Sequence, residues 1–269
     1  MSLRESCQMV ATNYDAGMKW KWVICLLLMA VVVAIQSPAQ QSEPARKSFE
    51  DSKAKAEKGD ATAEYNLGAC YANGQGVAKD AVEAVKWFRK AAEQNFTRAQ
   101  FNLGNCYYNG QGVAKDAVEA VKWYRKAAEQ NYAEAQFNLG VCFKSGDGVA
   151  KDAVEAVRWC RKAAEQNLAT AQDNLGLCYA NGEGVAKDVV EAAKWFRKAA
   201  EQNYAPAQVN IRAYYVGGQG VAKDYVEAYK WRLLAAGQGN QMATKTVTAL
   251  EKLLSREQVS EGQKLAREF

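Results

Sequence analysis

The stretch NGQGVAKD, Asn73 to Asp80, decides how the rest of the chain is read. Two glycines followed by a lysine have the look of a loop that cradles a phosphate. Such a loop works singly, between a strand and the helix whose N-terminus receives the anion. Here the words return as NGQGVAKD at Asn109, SGDGVAKD at Ser145, NGEGVAKD at Asn181 and GGQGVAKD at Gly217, each 36 residues after the last. Five copies at one period describe a structural repeat, so the loop is a connector.

The segments between the loops are helical. In the second copy Ala99, Leu103, Cys106 and Tyr107 recur at helical spacing, and Asn109-Gly110 ends that helix with a residue suited to a left-handed cap. Asp116 then starts a second helix and can cap its free N–H groups, with Glu119 three residues on. The same Asp-x-x-Glu recurs at Asp80, Asp152, Asp188 and Asp224. Ala120, Trp123, Tyr124, Ala127 and Ala128 form the buried stripe of this second helix, and Lys122, Arg125 and Lys126 a solvated outer face. Each unit is therefore a hairpin, with helix A over about residues 61–73 and helix B over about 80–94 in the first copy. Gly68, Gly104, Gly140 and Gly176 stand inside helix A, at a propensity cost of about 1 kcal/mol each. Close approach of helix B, through its alanines, is the expected compensation.

The pattern Leu103-Gly104-x-x-Tyr107, then Ala120-x-x-x-Tyr124-x-x-Ala127, resembles the tetratricopeptide repeat. The period of 36 and the Gly-x-Gly-Val-x-x-Asp loop are similar to the Sel-one-like repeat (SLR) branch of that superfamily. The resemblance covers five copies, 61–96, 97–132, 133–168, 169–204 and 205–240, and implies an all-α, right-handed α-solenoid of helix-turn-helix repeats. The fifth copy decays: Arg212 replaces the glycine, Tyr214 the cysteine and Arg232 the aromatic. Residues 45–58 resemble the end of a helix B without its helix A, so 40–60 reads as linker and capping helix. Met242–Leu254 and Ser255–Phe269, within a C-terminal cap over 241–269, read as two closing helices, the second started by a capping box at Ser255-Arg256-Glu257-Gln258.

Composition narrows the function. The chain of 269 residues has 35 Lys and Arg against 30 Asp and Glu, a net charge of +5 and too mild a bias for nucleic acid. It contains no histidine, which removes Ser-His-Asp and Cys-His catalysis, His metal sites and His pH switches. Lys19 and Lys21 precede an apolar run, Trp22 to Ile35, followed by the small-x-small pattern Ser37-Pro38-Ala39. Residues 1–39 read as an export signal cleaved after Ala39, with translation starting at Met18; an uncleaved membrane anchor over 22–35 is the alternative. As a helix this run spans about 21 Å, short of the roughly 30 Å hydrocarbon core. The expected location is periplasmic or secreted.

Cys70, Cys106, Cys142 and Cys178 share one position per repeat. Neighbouring A helices lie about 8–10 Å apart, too far for a disulfide or a shared zinc, so these read as packed thiols. Cys160, in place of an aromatic, has Cys142 and Cys178 each 18 residues away as possible disulfide partners, or stays free. The resemblance to cysteine-rich SLR proteins implies paired cysteines in each hairpin, a pattern from which this chain departs.

Variation among the copies marks a candidate site. Position 65 reads Tyr65, Phe101, Phe137, Asp173, Val209; position 62 reads Thr62, Arg98, Glu134, Thr170, Pro206. Position 69 reads Ala69, Asn105, Val141, Leu177, Ala213; position 72 reads Ala72, Tyr108, Lys144, Ala180, Val216. Elsewhere the first four copies are nearly identical, even at exposed Lys86, Arg89 and Lys90. These variable positions share the face of helix A that points away from the stack. By the tetratricopeptide resemblance that face lines a concave groove. The expected partner-binding set is Tyr65, Arg98, Phe101, Asn105, Tyr108, Glu134, Phe137, Val141, Lys144 and Asp173, with exposed rings as anchors. The other reading of Tyr65, Phe101 and Phe137 is packing between hairpins. Asn66, Asn102, Asn138, Asn174 and Asn210 form a ladder that contacts a ligand or bonds backbone between repeats.

SLR proteins generally act as adaptors, so the resemblance implies a non-catalytic scaffold, monomeric and without cofactor or metal, holding a protein or extended peptide. The rival is an enzyme acting on cell wall or β-lactams. Its only support is Ser52-Lys53-Ala54-Lys55, without the partner motifs Ser-Asp-Asn and Lys-Thr-Gly, and the carboxylates Glu134 and Asp173.

Overall fold

A computed structural model describes residues 42–239 and 241–269, apart from the side chains of Met242, Lys245, Thr246 and Thr248. The expected signal and its cleavage point lie outside these residues. All regular structure among them is α-helical, in thirteen helices. None is long and apolar enough to cross a membrane. The chain divides into two compact units, one ending at Ala91 and the other spanning Ala92–Phe269.

The first unit holds α1 (Glu43–Ala56), α2 (Ala61–Asn73) and most of α3 (Ala81–Glu93). Phe49 and Ala56 of α1 pack on Ala63 and Leu67 of α2, flanked by Tyr71 and Trp87. The Cα of Gly76, in the connecting loop, sits so close to the Ala45 carbonyl that any Cβ would collide. Gly148, Gly184 and Gly220 make the same approach to the carbonyls of Ala117, Ala153 and Val189, at the starts of the preceding B helices. Thus α1 stands where a helix B stands. Its Ser48, Ser52 and Lys55 occupy the positions that α3 fills with buried Ala84, Phe88 and Ala91. That polar face suits the end of a stack.

The second unit continues with hairpins α4 (Thr97–Asn109) and α5 (Ala117–Glu129), α6 (Ala133–Ser145) and α7 (Ala153–Glu165), α8 (Ala169–Asn181) and α9 (Val189–Glu201), and α10 (Ala205–Gly217) and α11 (Tyr225–Gly237). The closing helices, α12 (Gln241–Glu251) and α13 (Arg256–Arg267), are shorter than the sequence pattern suggests, and both pack on α11. Each B helix is capped as its sequence indicates. Asp116 accepts from Glu119 N at 2.9 Å, and Asp152, Asp188 and Asp224 each accept from two N–H groups. The third-position glutamate pairs forward: Glu119 meets Lys122 at 2.8 Å and Glu155 meets Arg158 at 2.8 Å. A reciprocal capping box does form at Ser255 and Gln258.

The helix-A glycines have a different partner from the expected alanines. A Cβ on Gly104 would lie 2.7 Å from the Tyr124 ring, and one on Gly176 2.7 Å from the Phe196 ring. The Tyr124 and Phe196 rings occupy the space that a side chain on Gly104 or Gly176 would need. Gly140 faces Cys160 instead, and its notch meets backbone, with the Ala156 carbonyl at 3.0 Å.

A second device joins hairpin to hairpin. Gln100, Gln136, Gln172 and Gln208 are buried in the A helices. Gln136 donates from Nε2 to the Ala128 carbonyl at 3.1 Å and to Asn131 Oδ1 at 3.2 Å. Its Oε1 accepts from Gln166, 30 residues on, at 2.8 Å. The same relay runs from Gln130 to Gln100, Gln202 to Gln172 and Gln238 to Gln208. Asn95, Asn131, Asn167 and Asn203 hold positive φ at the ends of the B helices, 65°, 64°, 67° and 61°. Buried amides that satisfy one another in this way fix register at little net cost.

Candidate functional site

Residues three and four apart share one face of a helix, so positions 62, 65, 69 and 72 of helix A lie together on one face in each repeat. In the second unit the exposed members of this face are Arg98, Glu134, Val141, Lys144, Pro206 and Ala213. Val141, at 38 % exposure, is a large apolar side chain left open to solvent. Arg98 and Glu134 occupy equivalent places on α4 and α6, and among the described residues neither makes an ion pair.

Other predicted members are held within the stack. Phe101 is half-buried, its ring 6.0 Å from that of Tyr124 and 5.2 Å from that of Tyr132. Phe137 is half-buried against the cluster of Val157, Cys160 and Leu175. In the first unit Tyr65 lies 5.9 Å from the Phe88 ring. The packing reading of these three rings fits their positions better than that of open anchors. Asp173 needs a larger correction. It is 5 % exposed, not a solvated charge, and accepts from Asn210 Nδ2 at 2.8 Å. Burial raises its pKa above the ordinary carboxylate value, opposed by the Asn210 hydrogen bond. Glu134, by contrast, is exposed, so the two acids do not share one solvent-open environment.

Asn105 is half-buried and accepts from Tyr124 Oη at 2.7 Å and from Asn138 Nδ2 at 3.3 Å. The Asn ladder thus bonds side chains across repeats at Asn138 and Asn210, while Asn174 donates within its own helix to the Thr170 carbonyl at 2.9 Å.

The remaining variation has a legible cause that the sequence reading missed. Tyr108 donates to Asp147 Oδ2 at 3.0 Å, and Lys144 pairs with Glu183 at 2.8 Å. Asp147 and Glu183 are the middle residue of the next repeat's loop, where other copies have Gln111 and Gln219. Within this chain Tyr goes with Asp, Lys with Glu, and Ala72 and Ala180 with Gln. The difference between SGDG, NGEG and NGQG was the available signal. Lys144 and Glu183 are both exposed, so their pair contributes little to stability, while Tyr108 is half-buried beside exposed Asp147.

The five cysteines among the described residues are free thiols. Cys106, Cys142, Cys160 and Cys178 are buried, while Cys70 is half-buried. Cys160 donates its thiol proton to the Ala171 carbonyl at 3.2 Å. Burial pushes the pKa of Cys106 and Cys142 up to about 11 and that of Cys160 to about 12, which leaves them un-ionised and inert near neutrality. Ser52 lines an open polar cleft of about 610 Å³ with Lys47, Asp51 and Lys55, and among the described residues no hydrogen bond joins it to a lysine. A serine nucleophile needs such a base within reach.

The Sel1 repeat model matches residues 61–96, 97–132, 133–168, 169–204 and 212–240. The chain belongs to the Sel1 repeat family. A Sel1 repeat protein from Oxalobacter formigenes is similar, with 35 % identity and a TM-score of 0.69, over 84 % of this chain and 97 % of that one. The protein c5321, a protective antigen present in uropathogenic Escherichia coli strains and displaying an SLR fold, is 36 % identical with a TM-score of 0.75. That match covers 82 % of this chain and 48 % of c5321, so the chain spans about half the length of that relative. No curated protein matches the chain. Sel1 repeat proteins are generally protein-interaction scaffolds, and the tandem hairpins here are the solenoid architecture of that family.

Proposed function

We propose that this Sel1 repeat chain is a non-catalytic, monomeric scaffold that holds a protein or extended peptide against the groove face of its A helices, outside the cytoplasm. One observation carries the reading. Arg98, Glu134 and Val141 stand at positions that vary from copy to copy, are exposed on that face, and make no ion pair among the described residues, while the rest of the first four repeats stays nearly constant. Residues required only for packing repeat together; a face that changes chemistry at each step suits an irregular ligand. The half-buried rings Phe101 and Phe137 then form the floor, with Tyr108 and Lys144 along one edge. Export rests on the Lys19-Lys21 start and the Trp22–Ile35 run, and retention of that run would give a membrane-anchored scaffold. The test is affinity capture from envelope extract with the native chain, with an R98E/E134K variant and with a K86E/K122E variant of the outer face. The account expects specific partners lost only from R98E/E134K. Equal capture by all three would refute the assigned face.

A further inference from the structure

Repeat three lacks the ring that its neighbours place against the helix-A glycine. Phe88, Tyr124 and Phe196 stand 20 residues after Gly68, Gly104 and Gly176, but 20 residues after Gly140 stands Cys160. The surroundings of the missing ring are nevertheless kept. In repeat two the Tyr124 ring lies 6.0 Å from that of Phe101 and 6.4 Å from that of Tyr108, and its Oη donates to Asn105 at 2.7 Å. Asn138 donates to the same Asn105 oxygen, and Cys142 belongs to the same buried cluster as Tyr124. One repeat on from these five stand Phe137, Lys144, Val141, Asn174 and Cys178. All five line a notch beside Gly140, Ala156 and Cys160. The notch is therefore the place of the Tyr124 ring, one repeat later, without the ring. The Cys160 thiol turns to the Ala171 carbonyl at 3.2 Å. About 20 Å³ is left, where one water needs about 10–15 Å³. Val141 and Lys144 are exposed, so the notch opens on the A-helix face.

The other copies show which ring fits. Asn105 accompanies Tyr124, whereas apolar Ala69 and Leu177 accompany Phe88 and Phe196. Repeat three has Val141 at that position, which offers no acceptor to a phenol. A hydroxyl pressed against it would lose its hydrogen bond to water without replacement.

We propose that this notch receives the phenyl ring of a phenylalanine carried by the protein partner, so that the partner supplies the ring that repeat three lacks. The proposal rests on the groove reading, because it names the group recognised on that same face. The ring displaces water from the notch and moves the side chains at its mouth aside. The exposed Lys144–Glu183 pair gives way at little cost. An aromatic anchor in a small, water-excluding pocket is the usual centre of a protein interface.

The native chain, labelled with 13C at its valine methyls, is titrated with N-acetyl-phenylalanine amide, N-acetyl-tyrosine amide and N-acetyl-alanine amide. The expected result is a saturable shift of the Val141 methyl resonances with the phenylalanine probe. The tyrosine probe should bind about tenfold more weakly, and the alanine probe not measurably. The V141N variant recreates the Asn105 position and should reverse the preference toward tyrosine. The C160F variant carries the ring within the chain. It should fold, by circular dichroism, melt no lower than the native protein, and show no saturable shift with any probe. Absence of a saturable shift in the native chain, equal binding of all three probes, or an unchanged response in a folded C160F overturns the proposal. If C160F does not fold, the preference of the native chain and its reversal in V141N decide. Partner capture separates this proposal from the groove reading. Capture kept by C160F and lost by R98E/E134K overturns the notch and leaves the groove standing, while capture lost by C160F and kept by R98E/E134K does the reverse.

Discussion

At the scale of single residues the repeat behaves as an internal control, because one position is sampled in five surroundings. Asp173 occupies a place that other copies fill with Tyr65, Phe101, Phe137 or Val209. The sequence marked it as variable, but variability alone does not separate a solvated charge from a buried one. Its folded pKa is raised, so the native state holds its proton more tightly than the unfolded chain does. The stability it contributes is therefore present below the unfolded value and is lost as pH rises through the folded one. Replacing Asp173 by Asn keeps an acceptor for Asn210 and removes the charge. D173N should melt higher than the native protein at pH 7, with the advantage shrinking toward pH 4. Thermal melts across that interval check it, and a lower melting temperature at pH 7 would show that the carboxylate is stabilising.

The cysteines give a second test at this scale. Their spacing showed one packed thiol per hairpin, and burial agrees for all but Cys70, which is only half-buried. In native labelling with a thiol reagent at pH 8, Cys70 should react first. Cys106, Cys142 and Cys160 should react only on unfolding, since burial both shields them and keeps them protonated. Mass spectrometry of the labelled peptides reads the order directly, and early modification of Cys160 would contradict its place in the core.

At the scale of helices and hairpins the ends were more legible than the seams. Caps are local: Asp116 and Gly110 act within a few residues of where they stand, so the pattern Asn-Gly to Asp defined both boundaries. Replacing Asp116 by Ala should cost about 1 kcal/mol in chemical denaturation. The seams join residues 20 or 30 apart. Gln136 is a polar residue in an otherwise apolar stripe, and nothing near it in sequence announces that Gln166 will donate to it. The ring under the helix-A glycine was likewise hidden, because Gly104 and Tyr124 belong to different helices. Gln136→Leu removes the donor to the Ala128 carbonyl and the acceptor for Gln166. It should cost roughly 1–3 kcal/mol, more than the cap, since it leaves buried groups unsatisfied. Equal costs for the two variants, measured by urea unfolding, would mean that water replaces the lost amide.

At the scale of the whole molecule the sequence revealed the repeat and its family, while the docking face is a matter of which constant and variable positions share a surface. Of the residues that periodicity assigned to that face, Arg98, Glu134, Val141 and Lys144 are exposed. It overstated the exposure of Phe101 and Phe137, because the face of a hairpin is closed in part by its neighbours' rings. The central claim is that a protein partner seats on the A-helix face and not on the B-helix exterior. Site-specific photo-crosslinking in the producing cell tests it most directly, with a benzophenone side chain placed at Val141 or at Lys122. The account predicts a discrete crosslinked protein from position 141 that is lost in the R98E/E134K background, and none from position 122. Crosslinks of equal yield from both positions, or from position 122 alone, would contradict it.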